Sequence, residues 1–172
     1  MIFSKFEGFP KECPEFFAEL KKNNEKKWFE DHKDEYENYV LKPSKAFVIT
    51  MGELLRKIAP NIHAEPRVNK SLFRINRDTR FSKEKIPYKT NLGLWFWEGA
   101  GKRMECSGFY LHMEPPNLLL GAGIYMFPKD LLEEFRKRVE DENYGPQLAS
   151  AVKEVEDKGP YQVGGKYYKK VP

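Results

Sequence analysis

The feature that most constrains this chain is the order in which its hydrophobic periodicities change. Apolar residues recur at helical spacing through the first third. They gather into short runs separated by tight turns in the middle, and return to helical spacing near the end. Residues 14–22 read as a helix with Pro14 in its first turn and Phe16, Phe17 and Leu20 on one face. Asn23-Asn24 reads as its stop, and Asn24 equally as the cap of the next helix. That helix spans Glu25 to Leu41, with Trp28, Phe29, Tyr36, Tyr39 and Val40 at helical spacing, and Pro43 is expected to break it. A third helix is expected over Ser44 to Ile58, with Ala46, Phe47, Ile49, Leu54, Leu55 and Ile58 apolar, ended by Pro60.

Four strands follow in the sequence reading: 68–77, 90–98, 103–114 and 118–127. Gly99-Ala100-Gly101-Lys102 and Pro115-Pro116-Asn117 supply turns between the later ones. Consecutive strands joined by tight turns imply an antiparallel meander. Pro128 opens a helix to about Glu142 with Leu131, Leu132, Phe135 and Val139 apolar, and a further helix is expected over 146–158. Val163-Gly164-Gly165-Lys166 reads as a hairpin turn. Segregated helices and strands give an α+β class: N-terminal helices, a central β-meander, and C-terminal helices packed on the sheet. The 172 residues are expected to form a single domain.

Composition removes several function classes. Hydrophobic residues make up 40% and aromatics 15%, too many for a disordered chain. A mean hydropathy of -0.71 and 33% charged residues oppose a membrane reading. The longest nearly uncharged apolar run, Leu118 to Phe127, is half the length of a membrane span. The start, Met1-Ile2-Phe3-Ser4-Lys5, has no signal-peptide core, so the expected compartment is cytoplasmic. Cys13 and Cys106 fit neither zinc spacing nor a CxxC motif and read as reduced, partly buried thiols. No metal or cofactor is implied. Gly121-Ala122-Gly123 lacks the third glycine and the following helix of a dinucleotide fingerprint, and reads as a bulge or close approach.

The charge is concentrated. Net charge is +4, yet Glu65 to Lys89 holds eight basic residues against three acidic ones. The other 22 basic and 23 acidic residues nearly cancel, so the excess marks a site. At its centre lies Arg74-Ile75-Asn76-Arg77-Asp78-Thr79-Arg80-Phe81-Ser82, followed by Lys85-Ile86-Pro87-Tyr88-Lys89. On a strand, Arg74 and Asn76 share a face and Arg77 takes the other. Guanidinium forks suit phosphate or carboxylate, and Ser, Thr and Tyr add neutral donors. The expected ligand residues are Arg74, Asn76, Arg77, Arg80, Ser82, Lys85 and Lys89. In the structural alternative the arginines pair with helix acids around Glu30-Asp31 or Asp34-Glu35. His112, on a strand beside Tyr110 and Glu114, is a candidate acid/base, as is Tyr88. His32 reads as part of a solvated helix face. Trp95, Phe96 and Trp97 read as core, with base stacking as the alternative.

Asn23-Asn24 then Trp28-Phe29, the stretch Arg74 to Ser82, Pro87-Tyr88-Lys89-Thr90, and Gly108-Phe109-Tyr110-Leu111-His112 together resemble the domain of unknown function 2461 family, conserved hypothetical proteins of bacteria and fungi. The resemblance spans essentially the whole chain. Glu84 and Ile86 depart from residues usual in the family and leave the basic positions intact. It implies a chain that continues beyond Pro172, and it implies no activity.

Three functional readings follow. The first is an anionic small-molecule or nucleotide site, with catalysis left open. The second is a nucleic-acid-binding module, which a charge of +4 favours only modestly. The third is an interaction domain with internally paired arginines. None invokes a membrane, and all leave the oligomeric state open.

Overall fold

A computed structural model describes residues 6–161 and residue 163. The expected turn at 163–166 therefore lies largely outside the described residues. The chain forms two compact units, Met1–Met126 and Phe127–Pro172.

The first unit begins with α1 (Glu12–Lys22), α2 (Lys26–Asp31) and the short α3 (Lys33–Glu35). A π-helical stretch, Tyr36–Leu41, leads directly into α4 (Lys42–Leu55). Pro43 does not break the helix. It sits in the first turn of α4, and Leu41 and Lys42 before it keep right-handed helical backbone. The wider π hydrogen bonding, in which the Lys42 N–H donates to the Glu37 carbonyl, precedes the residue that has no N–H to give. The buried Ser44 hydroxyl donates to the Val40 carbonyl at 2.6 Å. The helix stops at Leu55, before the expected end near Pro60.

The sheet is a four-stranded antiparallel meander in the order β1 (Ile62–His63), β2 (Leu92–Glu98), β3 (Ser107–Glu114) and β4 (Asn117–Ile124). The expected strand over 68–77 is absent, and the first strand lies earlier, at 62–63. Asn69 takes a left-handed φ of 66°, a conformation asparagine tolerates better than most residues. Around it Lys70 N–H donates to Arg67 O and Asn69 N–H to Leu72 O, which closes a loop where a strand would need extension. The chain then re-pairs briefly: Trp95 N–H donates to Ser71 O and Phe73 N–H to Gly93 O. Farther on, Arg77 N–H donates to Pro87 O and Lys89 N–H to Ile75 O, with Asn76 opposite Tyr88.

The two faces of the sheet differ. Leu92, Leu94 and Phe96 join Phe16, Phe17, Leu20, Val40 and Phe47 in the main core beneath the helices. Burial of each such large side chain contributes about 1.5–3 kcal/mol. The opposite face carries Trp95 and Trp97, which gather Cys106, Phe73, Met104 and Tyr110 into a second cluster. Burial of Trp95, Phe96 and Trp97 agrees with the core reading. Cys13 and Cys106 are both free and buried, one in each cluster.

In the second unit, α5 (Lys129–Glu140) and α6 (Tyr144–Asp157) form a helix pair. Asp141 joins them by accepting the Asn143 and Tyr144 N–H groups at 2.8 and 3.1 Å. These bonds hold its carboxyl below the usual range. No helix among the described residues is long and apolar enough to cross a membrane.

Candidate functional site

Directly paired residues of an antiparallel sheet point to the same face, so the register shows where that face is hollow. Gly93 pairs with His112, Trp95 with Tyr110, and Trp97 with Gly108. Tyr110 pairs in turn with Gly121, and Gly108 with Gly123. Glycines at these positions remove side chains from the second face beside the large rings. What remains is a cavity of about 580 Å³, floored by Trp95, Tyr110 and His112 and walled by Phe73, Lys89, Asn91 and Tyr125. At Gly108 the absence of a side chain is obligatory, because a methyl there would overlap the Phe96 carbonyl oxygen.

One end of the cavity carries a polar cluster. The Tyr110 hydroxyl lies 3.0 Å from His112 Nδ1, and the Asn91 amide nitrogen is 3.4 Å from the same atom. Burial raises the Tyr110 pKa, with Tyr125 adding to it, so the phenol keeps its proton and donates. An amide NH₂ is also a donor, so Nδ1 is the acceptor and the proton of neutral His112 sits on Nε2. Nε2 faces Glu114, 3.6 Å away.

Cationic side chains gather beside Phe73. Lys89 Nζ lies 5.4 Å from the centre of the Phe73 ring, and the Arg103 guanidinium lies 4.8 Å from it. Arg103 also donates to the Lys70 carbonyl. Burial, and then the charges of Arg74 and Arg103, push the Lys89 pKa down. None of Arg74, Lys89 and Arg103 makes an ion pair among the described residues. Lys89 and Arg103 thus share the Phe73 ring, the charge of Arg74 acts on Lys89, and Asp78 acts on Arg74.

Residues 12–172 match the family described as "Conserved hypothetical protein (DUF2461)". The chain belongs to the DUF2461 family. No curated protein and no solved structure matches it. The DUF2461 match takes in every element that builds the cavity.

The residues expected to bind ligand separate into three places. Lys89 reaches the cavity, as does the candidate acid/base His112, and Arg74 acts on Lys89 electrostatically. Arg77 lines a smaller neighbouring groove with Lys89, while Asn76 is exposed opposite Tyr88. Arg80, Ser82 and Lys85 form a separate exposed loop. There Arg80 clamps Asp78 with two bonds of 3.0 and 2.7 Å, and Lys85 donates to the Thr79 carbonyl. The Arg80 pair holds the Asp78 carboxyl well below the usual range. Within the basic segment the arginine pairings are short-range ones, Arg80 to Asp78 and Arg67 to Glu65, and not the pairings with helix acids of the structural alternative. A turn places Asp78 two residues from Arg80, closer than any helix.

Tyr88 is a core residue, stacked on Phe29 at 4.3 Å, and burial raises its pKa. Its backbone is gripped by Asn24: the Tyr88 N–H donates to Asn24 Oδ1, and Asn24 Nδ2 donates to the Tyr88 carbonyl, each at 3.0 Å. His32 departs from the expected solvated face, since its ring stacks on Trp28 at 4.0 Å. Sequence reasoning missed Asn91, Arg103 and Phe73. The available signal was the placing of Gly93, Gly121 and Gly123 within strands, where glycine has no propensity to be.

Proposed function

We propose that the glycine-hollowed face of the sheet binds a flat, largely apolar small molecule carrying a negative charge, with the charge held at the Lys89 end. The observation that carries this reading is Lys89 itself. A half-buried lysine beside two arginines, with no acidic partner among the described residues, is unfavourable until an anion arrives. Phe73, Trp95 and Tyr110 give the body of the ligand an aromatic bed, and the cavity volume falls in the usual small-molecule range.

A nucleic-acid interface is the weaker reading. It calls for an open basic stripe, whereas Arg80 and Lys85 at the loop tip already bond within their own loop. Proton transfer by His112 deepens the small-molecule reading. Its ring is oriented by Tyr110 and Asn91, and its Nε2–H remains available beside Glu114.

The test compares unfolding midpoints of wild type, Lys89→Met and Arg80→Ala with benzoate, 1-naphthoate, inorganic phosphate and a short RNA. A ligand at a hundredfold excess over its dissociation constant adds about 2.7 kcal/mol. An aromatic carboxylate should raise the midpoint of wild type and Arg80→Ala and leave Lys89→Met unmoved. A shift by RNA alone, lost in Arg80→Ala, would overturn the reading in favour of the nucleic-acid one.

A further inference from the structure

A groove of about 270 Å³ shares Lys89 and Asn91 with the cavity and is lined as well by Lys21, Asn24, Arg77 and Thr90. Its wall holds three cations and no acidic side chain. Neither Lys21 nor Arg77 makes an ion pair among the described residues. Glu30 acts on the Tyr88 hydroxyl but does not line the groove.

This groove is built on fixed backbone. Arg77 and Lys89 project from the short antiparallel pairing in which Arg77 N–H bonds Pro87 O and Lys89 N–H bonds Ile75 O, both at 2.8 Å. Asn24 pins the intervening Tyr88 through both its backbone groups. Lys21 comes from the last turn of α1. The contrast is with Arg80 and Lys85, which sit in an exposed loop and bond within it.

Resting on the reading of the cavity as a small-molecule site, we propose that the groove is a phosphate subsite joined to it across Lys89. The ligand is then bipartite, an aryl phosphate monoester. Its ring lies over Phe73, Trp95 and Tyr110, and its phosphoryl group lies between Arg77, Lys21 and Lys89. The charge count favours phosphate over carboxylate. A phosphate monoester carries close to two negative charges at neutral pH, and a fork plus two ammonium groups match a tetrahedral dianion better than a planar monoanion. Thr90 and Asn91 offer neutral donors on the same wall.

The experiment is calorimetric titration of wild type, Arg77→Gln and Lys21→Gln with 1-naphthyl phosphate, 1-naphthoate and inorganic phosphate, after the unfolding midpoints establish that both variants fold. The expected result is tightest binding of 1-naphthyl phosphate to wild type. Each variant should lose about tenfold for that ligand and bind 1-naphthoate as wild type does. Equal binding of 1-naphthyl phosphate by wild type and both variants would overturn the subsite and leave the cavity standing. Inorganic phosphate binding as tightly as the aryl phosphate would overturn the joined site. Failure of both naphthyl compounds to bind wild type would remove the cavity reading and the subsite with it.

Discussion

The Tyr110 hydroxyl lies 3.0 Å from His112 Nδ1, and the residue paired with His112 across the strands is Gly93, whose missing side chain leaves room for that contact. A methyl at position 93 would meet the Tyr110 hydroxyl and the Phe73 ring, each at 3.1 Å. Gly93→Ala should therefore push Tyr110 off His112 and cost about 1–3 kcal/mol of stability through overpacking. Denaturant unfolding measures the cost, and the His112 ring ¹⁵N chemical shifts at a fixed pH should differ from wild type. Unchanged ring shifts would show that the ring is held by something other than Tyr110.

Asn24 ties the α1–α2 junction to the strip that presents Lys89. Asn24→Ala leaves the Tyr88 N–H and carbonyl without their partner, a loss of about 1–3 kcal/mol in urea unfolding. Asn24→Asp keeps an acceptor for the N–H and removes the donor, so it should fall between wild type and alanine at neutral pH.

Lys89 makes stability depend on pH. Its folded-state pKa lies below the ordinary value of 10.5. As pH rises through that interval, the folded protein gives up the proton first and the unfolded chain binds more, so stability contributed by this group increases with pH. Ligand-free Lys89→Met should consequently be at least as stable as wild type at pH 7. Its advantage should shrink toward pH 10, as read from urea midpoints across that range. Anion affinity should run the other way and fall as Lys89 loses its charge.

Burial pushes the Cys13 thiol up to about 12, and the side chain is fully enclosed in the main core. A thiol-specific disulfide reagent at pH 8 should leave Cys13 unmodified in the native protein and react with it on unfolding. Modification of native Cys13 at the unfolded rate would contradict the core packing described above.

The sequence was most informative where pattern alone decides the structure. The α+β order, β2 to β4 and the two late helices follow from apolar spacing and turn residues, and motif order led to DUF2461. It was least informative where a single residue redirects the backbone. Asn69 closes a loop inside an otherwise strand-like stretch, and Pro43 is accommodated in a helix by the π-helical turn before it. The basic segment was recognisable from charge, but its division was not. Arg80 and Lys85 bond locally while Lys89 turns to the sheet, because the 75–77 and 87–89 pairing sets direction over a long sequence separation. Arg103 and Asn91 were signalled only indirectly, by the strand glycines that hollow the face, since their own positions depend on how distant segments pair.

The central claim is that ligands enter the hollow face of the sheet. The most direct measurement is a titration of ¹⁵N-labelled protein with 1-naphthoate, followed in ¹H–¹⁵N correlation spectra. Binding in the hollow should produce concerted shifts of the Gly93 and Gly121 amides, the Asn91 side chain and the Trp95 indole N–H, with the Arg80–Lys85 loop unmoved. Shifts confined to that loop, or none at saturating naphthoate, would contradict it.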